Sequence, residues 1–118
     1  MRKPDIPAMQ RALRRFNDER DWAQFHAPRN LAMALSVEAA ELLELFLWSR
    51  DEGPQPALPE RADRVAEEAA DVLICLLNLC DRAGVDLVEA FWRKLDANAA
   101  RYPVEEARGS MRKYSERE

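Results

Sequence analysis

Apolar residues recur along this chain at intervals of three and four rather than in alternation, the period of helices with one buried face. The first such stretch, Ala8 to Asp21, sets Met9, Ala12, Leu13 and Phe16 along one side. Pro4 and Pro7 precede it, where a helix start tolerates proline. Asp21 to Pro28 is a short connection holding Trp22, Phe25 and His26, and a second helix follows from Asn30, read as its N-cap, to Trp48. Ser49 to Glu60 carries Gly53, Pro54, Pro56 and Pro59 and reads as the one long loop. A third helix spans Glu60 to Arg82 and stops at Gly84. Asp86 caps a fourth, which reaches Arg101 before Pro103. The remainder, Val104 to Glu118 with Gly109 and Ser110, is a polar tail.

The pattern therefore predicts an all-α, four-helix bundle-type domain over residues 1–118, with its core at about 8–103 and its tail at 104–118. Within the third helix, Val72 to Leu77 is apolar on every face, and such a helix must be covered on all sides. Four helices cannot do this alone, so the reading includes completion by a second subunit, as a dimer or a dimer of dimers.

Composition agrees. Alanine occurs 19 times and leucine 14, while valine and isoleucine together occur 8 times and threonine never. Helices favour the first pair and sheets the β-branched residues. Three glycines leave no Gly-rich phosphate loop. The net charge of −4 argues against binding nucleic acid through a basic surface. No apolar run is long enough to span a bilayer, and none follows the basic start Met1-Arg2-Lys3 as a signal peptide requires. Cys75 and Cys80 share one helix and point in different directions, which reads as a reduced, cytoplasmic protein.

The most informative feature is an echo at an offset of 30 residues. Glu38-Ala39-Ala40-Glu41 precedes the apolar run to Leu47, and Glu68-Ala69-Ala70-Asp71 precedes the run to Leu77. Each places two carboxylates one turn apart on one helical face. If the second and third helices form an antiparallel hairpin, the two pairs face each other. Four carboxylates beside an apolar core repel unless protonated or neutralised. Hard divalent cations, Mg²⁺ or Mn²⁺, suit such oxygens, and the lack of a Cys/His cluster argues against zinc. A single acidic pair on an Ala/Leu/Glu helix is most often a solvated face; two copies set against apolar runs favour a metal site.

These boxes, separated by 26 residues, resemble those of the MazG-type all-α nucleoside triphosphate pyrophosphohydrolases, and more closely the short branch typified by dCTP pyrophosphatase. The likeness also rests on Glu19 to Asn30, on Lys94 to Pro103 and on Arg112-Lys113-Tyr114. It implies Mg²⁺-dependent cleavage of a nucleoside triphosphate to monophosphate and pyrophosphate, with Mn²⁺ as a substitute ion. Glu38, Glu41, Glu68 and Asp71 would be the metal ligands. Glu41, Glu38 and Asp71 would be catalytic, with Glu41 orienting or deprotonating the attacking water. Trp22, His26 and Trp48 match the family's base pocket; otherwise the two tryptophans are core or interface residues and the lone histidine is structural. Arg29 and Asn30 would bind the nucleotide or merely start the second helix. Lys94 and Asn98, together with Arg112 and Lys113, would reach the phosphates; alone they read as a solvated face.

The likeness lapses at two places. Cys75 stands where close relatives often carry tyrosine, and Leu13 where animal dCTP-preferring members carry histidine. Strict dCTP preference is therefore not implied, and a dUTP-preferring or broad-specificity hydrolase is the alternative. Glu44 and Glu67 could stand in as ligands or support them. A non-catalytic helical interaction module, with both boxes solvated, is the reading outside enzymes.

Overall fold

A computed structural model describes residues 5–47, 59–113 and 115. Among these the secondary structure is helical, with no strand. The helices are α1 (Ile6–Glu19), α2 (Pro28–Glu44), α3 (Pro59–Ala83), α4 (Leu87–Arg101) and a short α5 (Val104–Ala107), with one 3₁₀ turn at Ala23–Phe25. The all-α expectation holds. The chain divides into two compact units, Met1–Val85 and Asp86–Glu118. Residues 49–58 of the long predicted loop and Trp48 at its edge lie outside the described residues, as does Tyr114.

In the first unit, Asp5 caps α1, its side chain accepting from Ala8 N at 2.8 Å. The pattern carried this helix to Asp21, but it ends two residues earlier because Asp21 takes a left-handed backbone, φ +54°. Trp22 N donates to Asn17 O at 3.0 Å and Asp21 N to Asp18 O at 3.1 Å, a paired closure that uses carbonyls the last turn leaves free. The Trp22 ring packs edge-on to Phe16, centroids 5.5 Å apart, which supplies the apolar contact of that closure.

α2 is capped by Ala27, not Asn30. Pro28 fits the first helical turn with its fixed φ and absent N–H, so the helix starts there. Asn30, already inside, donates from Nδ2 to Phe25 O at 3.3 Å. α2 and α3 run antiparallel: Arg82 Nε, at the end of α3, donates to His26 O at 3.1 Å, while Arg61, near its start, reaches Leu45 O at the end of α2. Leu31, Leu77 and Cys80 are the fully buried apolar residues among those described. α1 lies along the later half of α3, joined by Asn17 to Asn78 and Arg14 to Asp81. Gly84 closes α3 at φ +70°, with Val85 N donating to Cys80 O at 2.9 Å.

In the second unit, Asp86 caps α4 as the sequence suggests, accepting from Glu89 N at 3.1 Å. Arg93 pairs with Glu89 one turn away. Past Tyr102 the polar tail is not wholly irregular: Pro103 ends one helix and starts α5, whose first turn carries Glu105 and Glu106. Proline cannot continue a helix but can open one, and acids favour its N-terminus.

Candidate active site

Helical spacing puts Glu38 on the α3-facing side of α2, in register with Leu31, Leu35, Leu42 and Leu45. Glu41 lies one turn on, and Glu68 meets both from α3. One carboxylate oxygen from each of the three lies within 4.8 Å of the other two. Glu38 Oε2 and Glu68 Oε2 are buried, with no hydrogen-bond partner. Buried oxygens of that kind are costly unless something compensates them.

The electrostatics follow from this burial and crowding. The Glu38 carboxyl is held above its ordinary range, first by burial, then by the adjoining Glu41 carboxyl, and further by the charges of Asp71 and Glu68. Glu68 is also raised, by burial, by Glu41 and by Asp71, with Arg64 offsetting a little. Asp71, on the exposed side of α3, thus acts on the cluster by its charge but is not one of the three that close within 4.8 Å. Three hard oxygens, two of them buried and unpaired, fit a divalent cation. Glu67 and Glu44 are exposed and lie outside this trio.

Beside the cluster, further along α3, a hollow of about 310 Å³ opens between α1 and α3. Trp22 and His26 both line it, with Leu13, Phe16, Ile74 and the amides of Asn17 and Asn78. Trp22 is 46% exposed within this lining. Ile74, in the lining of the hollow, stands one turn after Asp71 on α3. Of the two places where the family likeness lapses, Leu13 lines the hollow. Cys75 sits at the acidic cluster instead, its thiol pushed up by burial and then by Glu38 and Asp71.

Sequence reasoning missed Asn17 and Asn78. The available signal was a lone asparagine between Leu77 and Leu79 in the apolar run of α3. Arg29 stands exposed in the first turn of α2. Lys94, exposed, and Asn98, half-buried, lie one turn apart on α4; Arg112 and Lys113 are exposed beyond α5. All four belong to the second unit. No helix among the described residues is long and apolar enough to cross a membrane.

Comparison with known proteins places the chain in a family. The family model described as MazG-like matches residues 33–116. The chain is 46% identical over 116 residues to dCTP pyrophosphatase 1 of Bos taurus, covering 97% of this chain and 69% of that protein. To dCTP pyrophosphatase 1 of Homo sapiens it is 47% identical over 116 residues, covering 97% and 68%. Among solved structures, a pyrophosphatase from Archaeoglobus fulgidus superposes with a TM-score of 0.76 at 44% identity, covering 83% of this chain and 92% of that one.

Proposed function

The chain belongs to the MazG-like family, and from that premise we propose that it is a nucleoside triphosphate pyrophosphohydrolase, acting on a pyrimidine deoxynucleoside triphosphate, dCTP or a base-modified dCTP. The products are the monophosphate and pyrophosphate. The observation that carries the reading is the convergence of Glu38, Glu41 and Glu68 with two buried, unpartnered oxygens, beside a hollow lined by Trp22 and His26.

Glu38, Glu41 and Glu68, with Asp71 beside them, would hold Mg²⁺, or Mn²⁺ in its place. A divalent ion bound there supplies charge neutralisation and polarises phosphate oxygens. Phosphoryl transfer asks chiefly for positioning and charge stabilisation, so the protein needs no nucleophile of its own. Glu41 orients the attacking water and accepts its proton. Trp22 stacks on the base and His26 meets the base edge; the family likeness gives Trp48, outside the described residues, a base-pocket role as well. Arg29 and Asn30 sit at the start of α2 to bind the nucleotide; for Lys94, Asn98, Arg112 and Lys113 a phosphate-binding role rests on the family likeness alone.

The active form on this reading is a dimer or dimer of dimers. Met33, Val37 and Leu43 are exposed along the side of α2 away from α3, Leu47 is exposed in the turn after it, and Ile74 within the greasy run of α3 is 41% exposed. Faces of this kind are ordinarily covered by another chain. Two free thiols are in keeping with a cytoplasmic location. A panel of triphosphates assayed with Mg²⁺, Mn²⁺ and excess chelator tests the proposal. Expected is release of pyrophosphate, fastest with pyrimidine deoxynucleotides and abolished by chelator. Undiminished turnover in chelator refutes the metal role, and no turnover of any triphosphate leaves a helical interaction module.

A further inference from the structure

Asn17 exposes only 9% of its surface, yet its side chain lines the hollow rather than being sealed from it. Its backbone is fixed twice over, since Asn17 O accepts from Arg20 N at 3.2 Å and Trp22 N at 3.0 Å as α1 closes. Its Nδ2 donates to Asn78 Oδ1, across from α3, at 3.1 Å. That single bond leaves Asn17 Oδ1 and Asn78 Nδ2 with no protein partner among the described residues. Around them the lining is Ala12, Leu13, Phe16, Trp22 and Ile74, so the couple and His26 are the polar groups a ring lodged there can meet. A pair of apolar side chains would join the two helices without any unspent polar atoms.

We propose that Asn17 and Asn78 read the hydrogen-bonding edge of the pyrimidine as a coupled amide pair that adjusts to cytosine or to uracil. This rests on the reading of the hollow as the base site. In the arrangement seen, the pair offers an acceptor from Asn17 and a donor from Asn78. Cytosine answers with a donor at N4 and an acceptor at N3. Uracil presents the reverse order, an acceptor at O4 and a donor at N3. The two ends of an asparagine amide are nearly isosteric. Turning both amides over keeps one hydrogen bond between them, now from Asn78 Nδ2 to Asn17 Oδ1, and inverts the order shown to the ligand. Either base is thus met in full, whereas a ring without a 4-substituent leaves one amide end unanswered. An unanswered buried polar group costs enough to lower kcat/KM by about tenfold or more.

The experiment measures kcat and KM with dCTP, dUTP and the deoxynucleoside triphosphate of pyrimidin-2-one, which lacks the 4-substituent. The enzymes are the wild type, Asn78→Ala, Asn17→Leu/Asn78→Leu and Trp22→Ala, with melting curves to confirm folding. For the wild type, dCTP and dUTP are expected within about tenfold of each other, and the pyrimidin-2-one nucleotide about tenfold poorer. In the double variant that handicap disappears, whereas Asn78→Ala, which leaves Asn17 facing the 4-position, lowers kcat/KM for all three nucleotides by about tenfold. A wild-type preference between dCTP and dUTP above about a hundredfold, or a handicap that survives in the double variant, overturns the coupled reader. Trp22→Ala separates the two levels. A KM raised for all three nucleotides supports the hollow as base site even where the amide inference fails; an unchanged KM overturns both.

Discussion

Along α3, polar and charged residues follow one surface from Glu68 to Arg82, and the two halves of the helix treat them in opposite ways. In the later half, each has a partner. Asp81 accepts from Arg14 Nε at 2.9 Å through both oxygens, Asn78 accepts from Asn17, and Arg82 donates to the His26 carbonyl. Asp81 is correspondingly held below its usual range, mainly by the hydrogen bond from Arg14. In the earlier half, Glu68 faces Glu38 and Glu41 with buried oxygens unanswered, and its carboxyl is driven up. The same side-chain chemistry serves attachment at one end and stored repulsion at the other. The repelling end is where a ligand can be recruited, because a cation gains there what the protein has left unsatisfied.

The sharpest way to break this contrast is to neutralise one member at each end. Glu68→Gln is expected to lower kcat/KM on the order of a thousandfold, as removal of a group organising transition-state charge does. Melting in chelator should hold steady or rise, because like-charge repulsion falls. A variant that unfolds instead would make Glu68 a structural residue and erase the contrast. Asp81→Asn should do the reverse, leaving kcat/KM within about threefold while the melting temperature drops by about 2–4 °C; the effect is small because solvent screens a pair as open as this one. A large loss of activity with unchanged melting would move Asp81 into the functional half.

The smallest expected effect is in pH. Glu38 and Glu68 have raised values in the folded protein, so there they bind protons that the unfolded chain has already released. Metal-free stability should therefore rise as pH falls toward the ordinary carboxylate range. Asp81 is lowered, so its contribution is present above the ordinary carboxylate range and is lost only in stronger acid. Melting curves in chelator should pass through a maximum on the mildly acidic side, and saturating Mg²⁺ should flatten the neutral-side loss. A steady decline from about pH 7 downward would show that the acidic cluster is not strained.

Much of this was legible from residue order. The i, i+3 acids of both boxes, the apolar runs behind them, Asp86 as a cap and Gly84 as a stop all follow from spacing and local backbone preference. Trp22 and His26 were singled out by likeness alone, and the hollow they line gives that choice a physical setting. Helix ends were less legible. Asn30 was read as a cap because its side chain suits one, yet Pro28 starts the helix two residues sooner. Asp21 ends α1 early through a left-handed backbone closed by Trp22 against Phe16, a contact between residues six apart that helical periodicity does not register.

By itself the sequence determined the helical class, the pairing of two acidic turns and the apolar faces behind them, since each depends on neighbours within a turn or two. Only the tertiary structure decided which carboxylates converge. It brought Glu38, Glu41 and Glu68 within 4.8 Å, left Asp71 acting through its charge, and joined Asn17 to Asn78 across 61 residues. Partners that distant depend on how α1 and α2 lie along α3, and that placement comes from burial of whole faces rather than from any local pattern.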